Sequence, residues 1–518
     1  MTERNSNRFA RSAGILLPVS SLPSPYGIGA FGEAAYKWVG FLHEAKQCYW
    51  QILPLVPVGD GDSPYSSFSA FAGNPFFIDL DTLHEEGLLE REDYADISWG
   101  ASGKRVDYDT VRLHRGDVLR KAFARFTNEA ALADFAAQES WFEDYGLYMA
   151  IKKTQGMRSW IEWEEPLRLR RPDAIAKARE ELAEEIRFHA FAQYQFRKQW
   201  RALRSYANGK GVEVIGDIPI YVSLDSVEVW ANPELFQVDE HANLTNVAGC
   251  PPDGFSPDGQ IWGNPLYDWD RIEETGFDWW IRRLRHNFEL YDVLRIDHFR
   301  GLESYFSIPY GADDAESGRW ITGPGMRFIN AIKQALPDAR IIAENLGFPS
   351  DAVRKLLADS GYPGMKLIQA AFDPRSSENE SPDSYKENLV VYPGTHDNDT
   401  VKGWSENAPR SAVKKAMDYL EVRSESELPH AMIELAMQCK AVLAIIPMQD
   451  WLGLGSEARF NTPSTVGGNN WRWRLDKTAL TSRLAGSIAQ MTALYDRCTC
   501  GSGAAPSGDF KTGILGKE

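Results

Sequence analysis

Nowhere in the sequence do apolar residues run on for the roughly 18 positions that a membrane-spanning helix requires. The opening stretch, MTERNSNRFARSAG, also lacks the apolar segment of a secretory signal. A soluble cytoplasmic protein without a membrane partner is therefore expected. Positive charge is in short supply as well: 56 Lys and Arg stand against 73 Asp and Glu, for a formal net charge of -17. With no long basic run to reverse that balance locally, a phosphate backbone would be repelled, which argues against nucleic acid as a partner. Cysteine is scarce. Cys48, Cys250, Cys439, Cys498 and Cys500 are odd in number and scattered, which is no disulfide framework and predicts a reducing compartment. The Cys498-Thr499-Cys500 pair lacks the second pair that a zinc site needs, so neither metal nor cofactor is expected.

What is present is an ordinary globular composition, 43% hydrophobic and 25% charged over 518 residues, enough to bury a large core. Eight short runs rich in β-branched, aromatic and leucine residues stand out at 14–19, 48–55, 212–222, 293–299, 340–345, 365–372, 389–392 and 442–448. Each reads as a buried strand. Helix-patterned stretches such as 30–46, 278–287, 326–335, 351–360 and 410–420 separate them, the alternation of parallel strands joined by helical crossovers. Eight such units predict an α/β fold, a (β/α)₈ TIM barrel, with Asp217, Asp297, Glu344, Asp397, Gln449 and Asp450 near the C-terminal ends of its strands, where barrels carry their catalytic rim.

Two stretches exceed a regular barrel unit. Residues 57–211 predict a mainly helical insertion, with helices near 110–127, 129–154 and 173–207. Residues 232–269 are crowded with Gly, Pro, Asn and Asp and predict loop over the barrel mouth. One catalytic unit over 1–497 is expected, followed by a disordered tail at 498–518 that is poor in large apolar residues.

Cleaving an acetal between sugars takes a proton on the leaving oxygen and stabilisation of positive charge at the anomeric carbon, tasks shared by two carboxyl groups. Asp297 and Glu344 form such a pair. Strand alternation sets Arg295 and Asp297 on one face, opposite Leu294 and Ile296, and an adjacent Arg favours the ionised Asp of a nucleophile. Glu344 follows Ile341-Ile342-Ala343, apolar surroundings that raise a carboxyl pKa and suit proton donation. Asp397, flanked by His396 and by Asn398-Asp399, adds a third polar cluster that could hold sugar hydroxyls. The same residues fit blander roles: a structural Arg–Asp pair, a solvated Glu, and a turn or helix cap at 396–399. Tyr65, Phe71, Phe255, Trp262, Tyr267 and Trp269 lie in Gly/Pro-rich segments and offer flat platforms for sugar rings, or ordinary packing.

Seven motifs in order, SAGILLP (12–18), SPYSSFSAFAGNP (63–75), GDIPIYV (216–222), RIDHFRG (295–301), AENLG (343–347), GTHDNDT (394–400) and GLGSEAR (453–459), resemble the amylomaltase family of 4-α-glucanotransferases, glycoside hydrolase family 77, over nearly the full length. The resemblance implies transfer of α-1,4-glucan segments from a donor maltodextrin to the 4-OH of an acceptor glucan or glucose, through a covalent glycosyl-enzyme and without a cofactor. It makes Asp297 the nucleophile, Glu344 the general acid/base and Asp397 the transition-state stabiliser. It further implies sugar contacts for Ser63, Tyr65, Asp217, Phe255, Gln260, Trp262, Arg295, His298, Asp373 and His396. Gly254 stands where other members can carry an aromatic that contacts bound glucan. Two rivals remain at this level: an α-amylase-like hydrolase with the same three carboxylates, and a catalytically silent glycan-binding protein, against which the intact carboxylate set argues.

Overall fold

Short runs of branched and aromatic residues bounded by polar turns become strands because their side chains pack on both faces of a covered sheet. Twelve strands form among the residues described by the computed structural model, which are 9–239, 241–252 and 258–498. They are β1 (Ser12–Leu16), β2 (Tyr49–Gln51), β3 (Glu213–Ile218), β4 (Asn246–Cys250), β5 (Gln260–Pro265), β6 (Val293–Ile296), β7 (Ser304–Pro309), β8 (Arg319–Thr322), β9 (Ile341–Ala343), β10 (Gly364–Leu367), β11 (Leu389–Tyr392) and β12 (Leu443–Pro447).

Eight of these close into a parallel barrel in the order β1-β12-β11-β10-β9-β6-β3-β2. Each of the eight expected runs supplies one of them, and the fold is a (β/α)₈ TIM barrel. The first and last strands pair over five residues, from Ser12↔Leu443 to Leu16↔Pro447, so the barrel itself has no open edge. Across the interior the Tyr392 hydroxyl donates to Gln51 Oε1 at 2.8 Å, satisfying two polar groups that are otherwise sealed from water.

The expected helical insertion is present between β2 and β3. Its helices include Tyr108–Arg125, Glu129–Gln138, Phe142–Thr154, Pro172–Glu181 and Ala183–Gly209. The stretches read as single helices at 129–154 and 173–207 are each two, the second pair meeting at Leu182, whose backbone (φ −107, ψ 15) departs from helical values. Helix Ala183–Gly209 buries Phe188, Ala192, Phe196, Trp200 and Leu203, the i, i+3, i+4 spacing of one apolar face. That face carries the 63–75 loop: Gln193 bonds both the N–H and the C=O of Gly73, at 2.7 and 2.8 Å. Only glycine fits there, since a Cβ on Gly73 would sit 2.2 Å from the Phe196 ring.

The segment 232–269 is not loop throughout. It contains β4 and β5, which join β7 and β8 in an antiparallel sheet of order β5-β4-β7-β8. A register shift between Val247 and Gly249 breaks the period-2 alternation that would have marked these strands in the sequence. Cys48, next to β2, is disulfide-bonded, where a set of thiols was expected. Cys500, Gly254, Phe255 and the tail from 499 lie outside the described residues. No described helix is long and apolar enough to cross a membrane.

Gly216 of β3 lies beside Asp217, and a Cβ there would approach the Tyr291 ring to 2.2 Å. Overpacking against a rigid ring costs on the order of 1–3 kcal/mol. Gly216→Ala is therefore expected to lower the calorimetric unfolding midpoint, and a midpoint equal to that of the parent protein would show that the ring yields freely.

Candidate active site

The register of β3 and β6 sets Asp217 beside Arg295 at the C-terminal end of the barrel. Arg295 Nη1 donates to both Asp217 oxygens, at 2.7 and 2.6 Å, and lies 3.0 Å from Asp297 Oδ1. Arg295 is buried, whereas the Asp297 side chain keeps 26% of its surface open, as a group meant to meet a ligand must. Leu294 and Ile296 face the other way and are fully buried, as strand alternation requires. The Asp297 N–H donates to Ile218 O at 3.0 Å, which ties the strand end to β3.

Glu344 follows β9, the neighbour of β6 on the other side. Its backbone N–H donates to Ile296 O at 3.0 Å, and its carboxylate accepts the His298 N–H at Oε2 (2.7 Å) and the Leu346 N–H at Oε1 (2.6 Å). The first of these bonds exists because His298 adopts a left-handed backbone, φ 46 and ψ 46. That conformation costs a residue with a side chain on the order of 1–3 kcal/mol, and it persists where the surroundings over-determine it. Trp262, on β5, sets its ring edge-on to His298 at 4.9 Å and donates from Nε1 to Gln260 Oε1 at 3.1 Å.

Asp397, after β11, accepts from Asn461 Nδ2 at Oδ1 (2.7 Å), and its backbone O accepts from Arg459 Nη2 (2.7 Å). His396 Nε2 lies 3.3 Å from Asp397 Oδ2 and 2.9 Å from the Tyr65 oxygen. The Tyr65 hydroxyl donates to Asp217 Oδ2 at 2.7 Å, so its one proton is committed and His396 must donate from Nε2. Burial lowers the His396 pKa, consistent with a neutral ring protonated on that nitrogen; its buried Nδ1 has no partner among the described residues. Tyr65 and His396 stack at 5.3 Å and 14°, and Trp471 closes against both, at 5.7 and 6.1 Å.

Asp217 and Asp297 thus share the Arg295 guanidinium, and Glu344 and Asp397 lie near enough to act on Asp297. Burial raises Asp297 to about 8; Arg295 opposes this, and Asp217, Glu344 and Asp397 add to it. Burial also raises Glu344, against Arg295 and the two amide donors. The sequence predicts that Arg295 favours an ionised Asp297; in the structure its charge is shared with Asp217, and burial outweighs it. Burial pushes Glu344 in the same direction, so both carboxyls hold a proton more readily than free ones do.

Most of the expected sugar-contacting residues converge here. Tyr65, Asp217, Arg295 and His396 form one bonded group, and His298, Trp262 and Gln260 line the side toward β5. Ser63 caps the turn before Tyr65, its Oγ accepting the Tyr65 N–H at 3.1 Å. Asp373 commits its carboxylate to Arg375 at 3.0 and 2.7 Å; burial works against its ionisation, and Arg375 holds its pKa below the ordinary value. Phe71, Tyr267 and Trp269 belong to the core rather than to a sugar platform. Sequence reasoning passed over Asn461, whose sole signal is its place two residues beyond the GLGSEAR motif, and Trp471.

Comparisons with known proteins agree in one direction. A family model for glycoside hydrolase family 77, described as 4-alpha-glucanotransferase, matches residues 17–480. A curated 4-alpha-glucanotransferase of Clostridium butyricum is 45% identical over 485 residues, covering 93% of this chain and 99% of that protein. One of Streptococcus pneumoniae is 46% identical over 493 residues, covering 94% and 97%. Among solved structures, an amylomaltase from Streptococcus agalactiae in complex with acarbose matches at a TM-score of 0.91 and 42% identity, covering 94% of this chain and 99% of that one. These relatives do not favour the hydrolase alternative.

The pair of carboxyls has a signed pH dependence. Asp297, raised to about 8, and Glu344, also raised, hold protons on the acid side and release them on the alkaline side of their raised values. A reaction that needs one of these carboxyls protonated and the other ionised then fails at both extremes. The free-enzyme profile, kcat/KM against pH, is expected to be a bell whose alkaline limb falls near 8. Asp217→Asn removes a charge that raises Asp297 and frees Arg295 for it, so that limb should move to lower pH by on the order of one unit. A limb that stays in place in this variant would contradict the coupling.

Proposed function

The chain belongs to glycoside hydrolase family 77 and is a 4-α-glucanotransferase, and we propose that Asp297 is its nucleophile, Glu344 its general acid/base and Asp397 its transition-state stabiliser. One observation carries this assignment. Asp297 and Glu344 leave adjacent parallel strands at the same rim and are joined through the residue between them, His298, whose N–H donates to Glu344 Oε2 at 2.7 Å.

The reaction follows from that arrangement. A glycosidic oxygen arriving at Glu344 gives its acid form a hydrogen-bond acceptor, while positive charge growing at the anomeric carbon favours the ionised form of Asp297. A proton therefore settles on Glu344, which transfers it to the leaving oxygen as Asp297 Oδ bonds to C1. Glu344, now ionised, then takes the proton from the 4-OH of an incoming glucan or glucose, and that oxygen displaces Asp297 with net retention. Asp397 and His396 hold hydroxyls of the distorting ring, contacts that help most where they tighten only in the transition state. Maltooligosaccharides, amylose and glycogen-derived dextrins are the donors this reading assigns. The insertion at 57–211 and the segment 232–269 belong to the same catalytic unit, a reading supported by the grip of helix Ala183–Gly209 on the loop that carries Tyr65.

Asp297→Ala is expected to abolish transfer and hydrolysis while leaving maltodextrin binding in place. Glu344→Gln, given a glucosyl fluoride whose leaving group needs little protonation, should accumulate hexose on the peptide containing Asp297. Rapid-quench mass spectrometry that finds the label on another peptide would exclude these roles.

Transfer must also outrun hydrolysis although water stands at about 55 M and acceptor sugar at millimolar levels. Roughly a 10⁴-fold preference, about 5.5 kcal/mol, is needed to break even. Trp262, 37% exposed beside His298, is the described aromatic placed to hold an acceptor ring over the intermediate and displace water. Trp262→Ala is expected to raise the ratio of hydrolysis to transfer on maltotriose in reducing-end assays, and an unchanged ratio would remove that role.

A further inference from the structure

Asp62 is a buried anion that the reaction does not use. It is 4% exposed, and it accepts from Arg112 Nη2 at Oδ1 (2.5 Å) and from Arg472 Nη2 at Oδ2 (2.6 Å). Arg112 comes from helix Tyr108–Arg125 of the insertion, and Arg472 follows Trp471, the ring that closes on Tyr65 and His396. Both guanidiniums lie 5.8 Å from the centroid of the Tyr108 ring. One carboxylate thus gathers three segments that are remote in sequence.

The backbone at Asp62 is bent for this purpose. Gly61 (φ 68) and Asp62 (φ 63) are consecutive left-handed residues, and they fold the chain back so that the Gly59 N–H reaches Ser66 O at 2.6 Å, enclosing Tyr65 in the turn. A Cβ on Gly61 would meet Val466 Cγ1 at 2.9 Å, so the turn is seated on the same loop that bears Asn461 and Arg472. A left-handed Asp holds its place only where its surroundings fix it, and the two arginines do so.

We propose that Asp62 is a positioning residue for the transfer reaction, holding the turn that sets the Tyr65 hydroxyl against Asp217 and His396. The proposal rests on Tyr65 acting in the site as read above.

The test is a double-variant comparison on the full chain. Asp62→Asn removes the charge while keeping a residue that tolerates the left-handed backbone. Asp62→Asn and Tyr65→Phe are each expected to lower kcat/KM for maltotriose disproportionation by about tenfold or more, and adding Asp62→Asn to Tyr65→Phe should cost less than about threefold further, because both act through one hydroxyl. Losses that multiply in full, or an Asp62→Asn enzyme with parental kcat/KM, would overturn the proposal. Parental activity in Tyr65→Phe alone would instead remove Tyr65 from the reaction, and the proposal with it. Should Asp62→Asn fail to fold, Arg472→Lys, which keeps the charge and loses the planar fork, replaces it with the same readout.

Discussion

The site depends on the buried pair between Asp217 and Arg295. Two charges removed from water are stable only when well matched, and removing one partner costs on the order of 3–5 kcal/mol, because the other is left uncompensated. Here the parallel register of β3 and β6 sets the match, so the barrel itself places a fixed cation beside Asp297. Burial raises both Asp297 and Glu344, Arg295 opposes it at each, and the neighbouring carboxylates add a smaller push in the same direction. A proton is thus retained chiefly because the carboxyls are buried, with charge crowding as the lesser contribution.

Support for the pair extends outward in layers. Tyr65 donates to Asp217, His396 to Tyr65, and the Trp471 ring closes the stack. Asn461 and Arg459 hold Asp397 from the loop after β12, while the left-handed His298 holds Glu344. The groups that touch the reacting atoms would come from barrel strand ends, and the groups that orient them come from insertions and loops. Barrels commonly divide rigidity and variability in this way.

The barrel was legible because its strands are buried on both faces, so each becomes a continuous apolar run that sequence alone displays. The carboxylates were legible because they end such runs. The second sheet was not: β4 (NVAGC) has a single β-branched residue, the β4–β5 pairing is broken in register, and β5 exposes Ile261 and Trp262, so neither a continuous apolar run nor alternation marks them. Asn461 and Asp62 escaped for another reason. Their partners lie 64 and 410 residues away, and no local pattern encodes a contact over that distance. The expected contrast between an ionised Asp297 and a protonated Glu344 was drawn from neighbours in the chain, whereas in the folded protein burial acts on both alike.

Those separations bear on how the protein is made. The Tyr65 oxygen meets Asp217 across 152 residues and His396 across 331, and β1 reaches its partner β12 only when nearly the whole chain exists. Loop-closure entropy must be overcome before such contacts reward it. A chain emerging from the ribosome therefore carries Asp297 and Glu344 long before it carries the residues that pack around them. Synthesis must pass Trp471 and Arg472 before the ring stack on Tyr65 and the arginine pair on Asp62 can form.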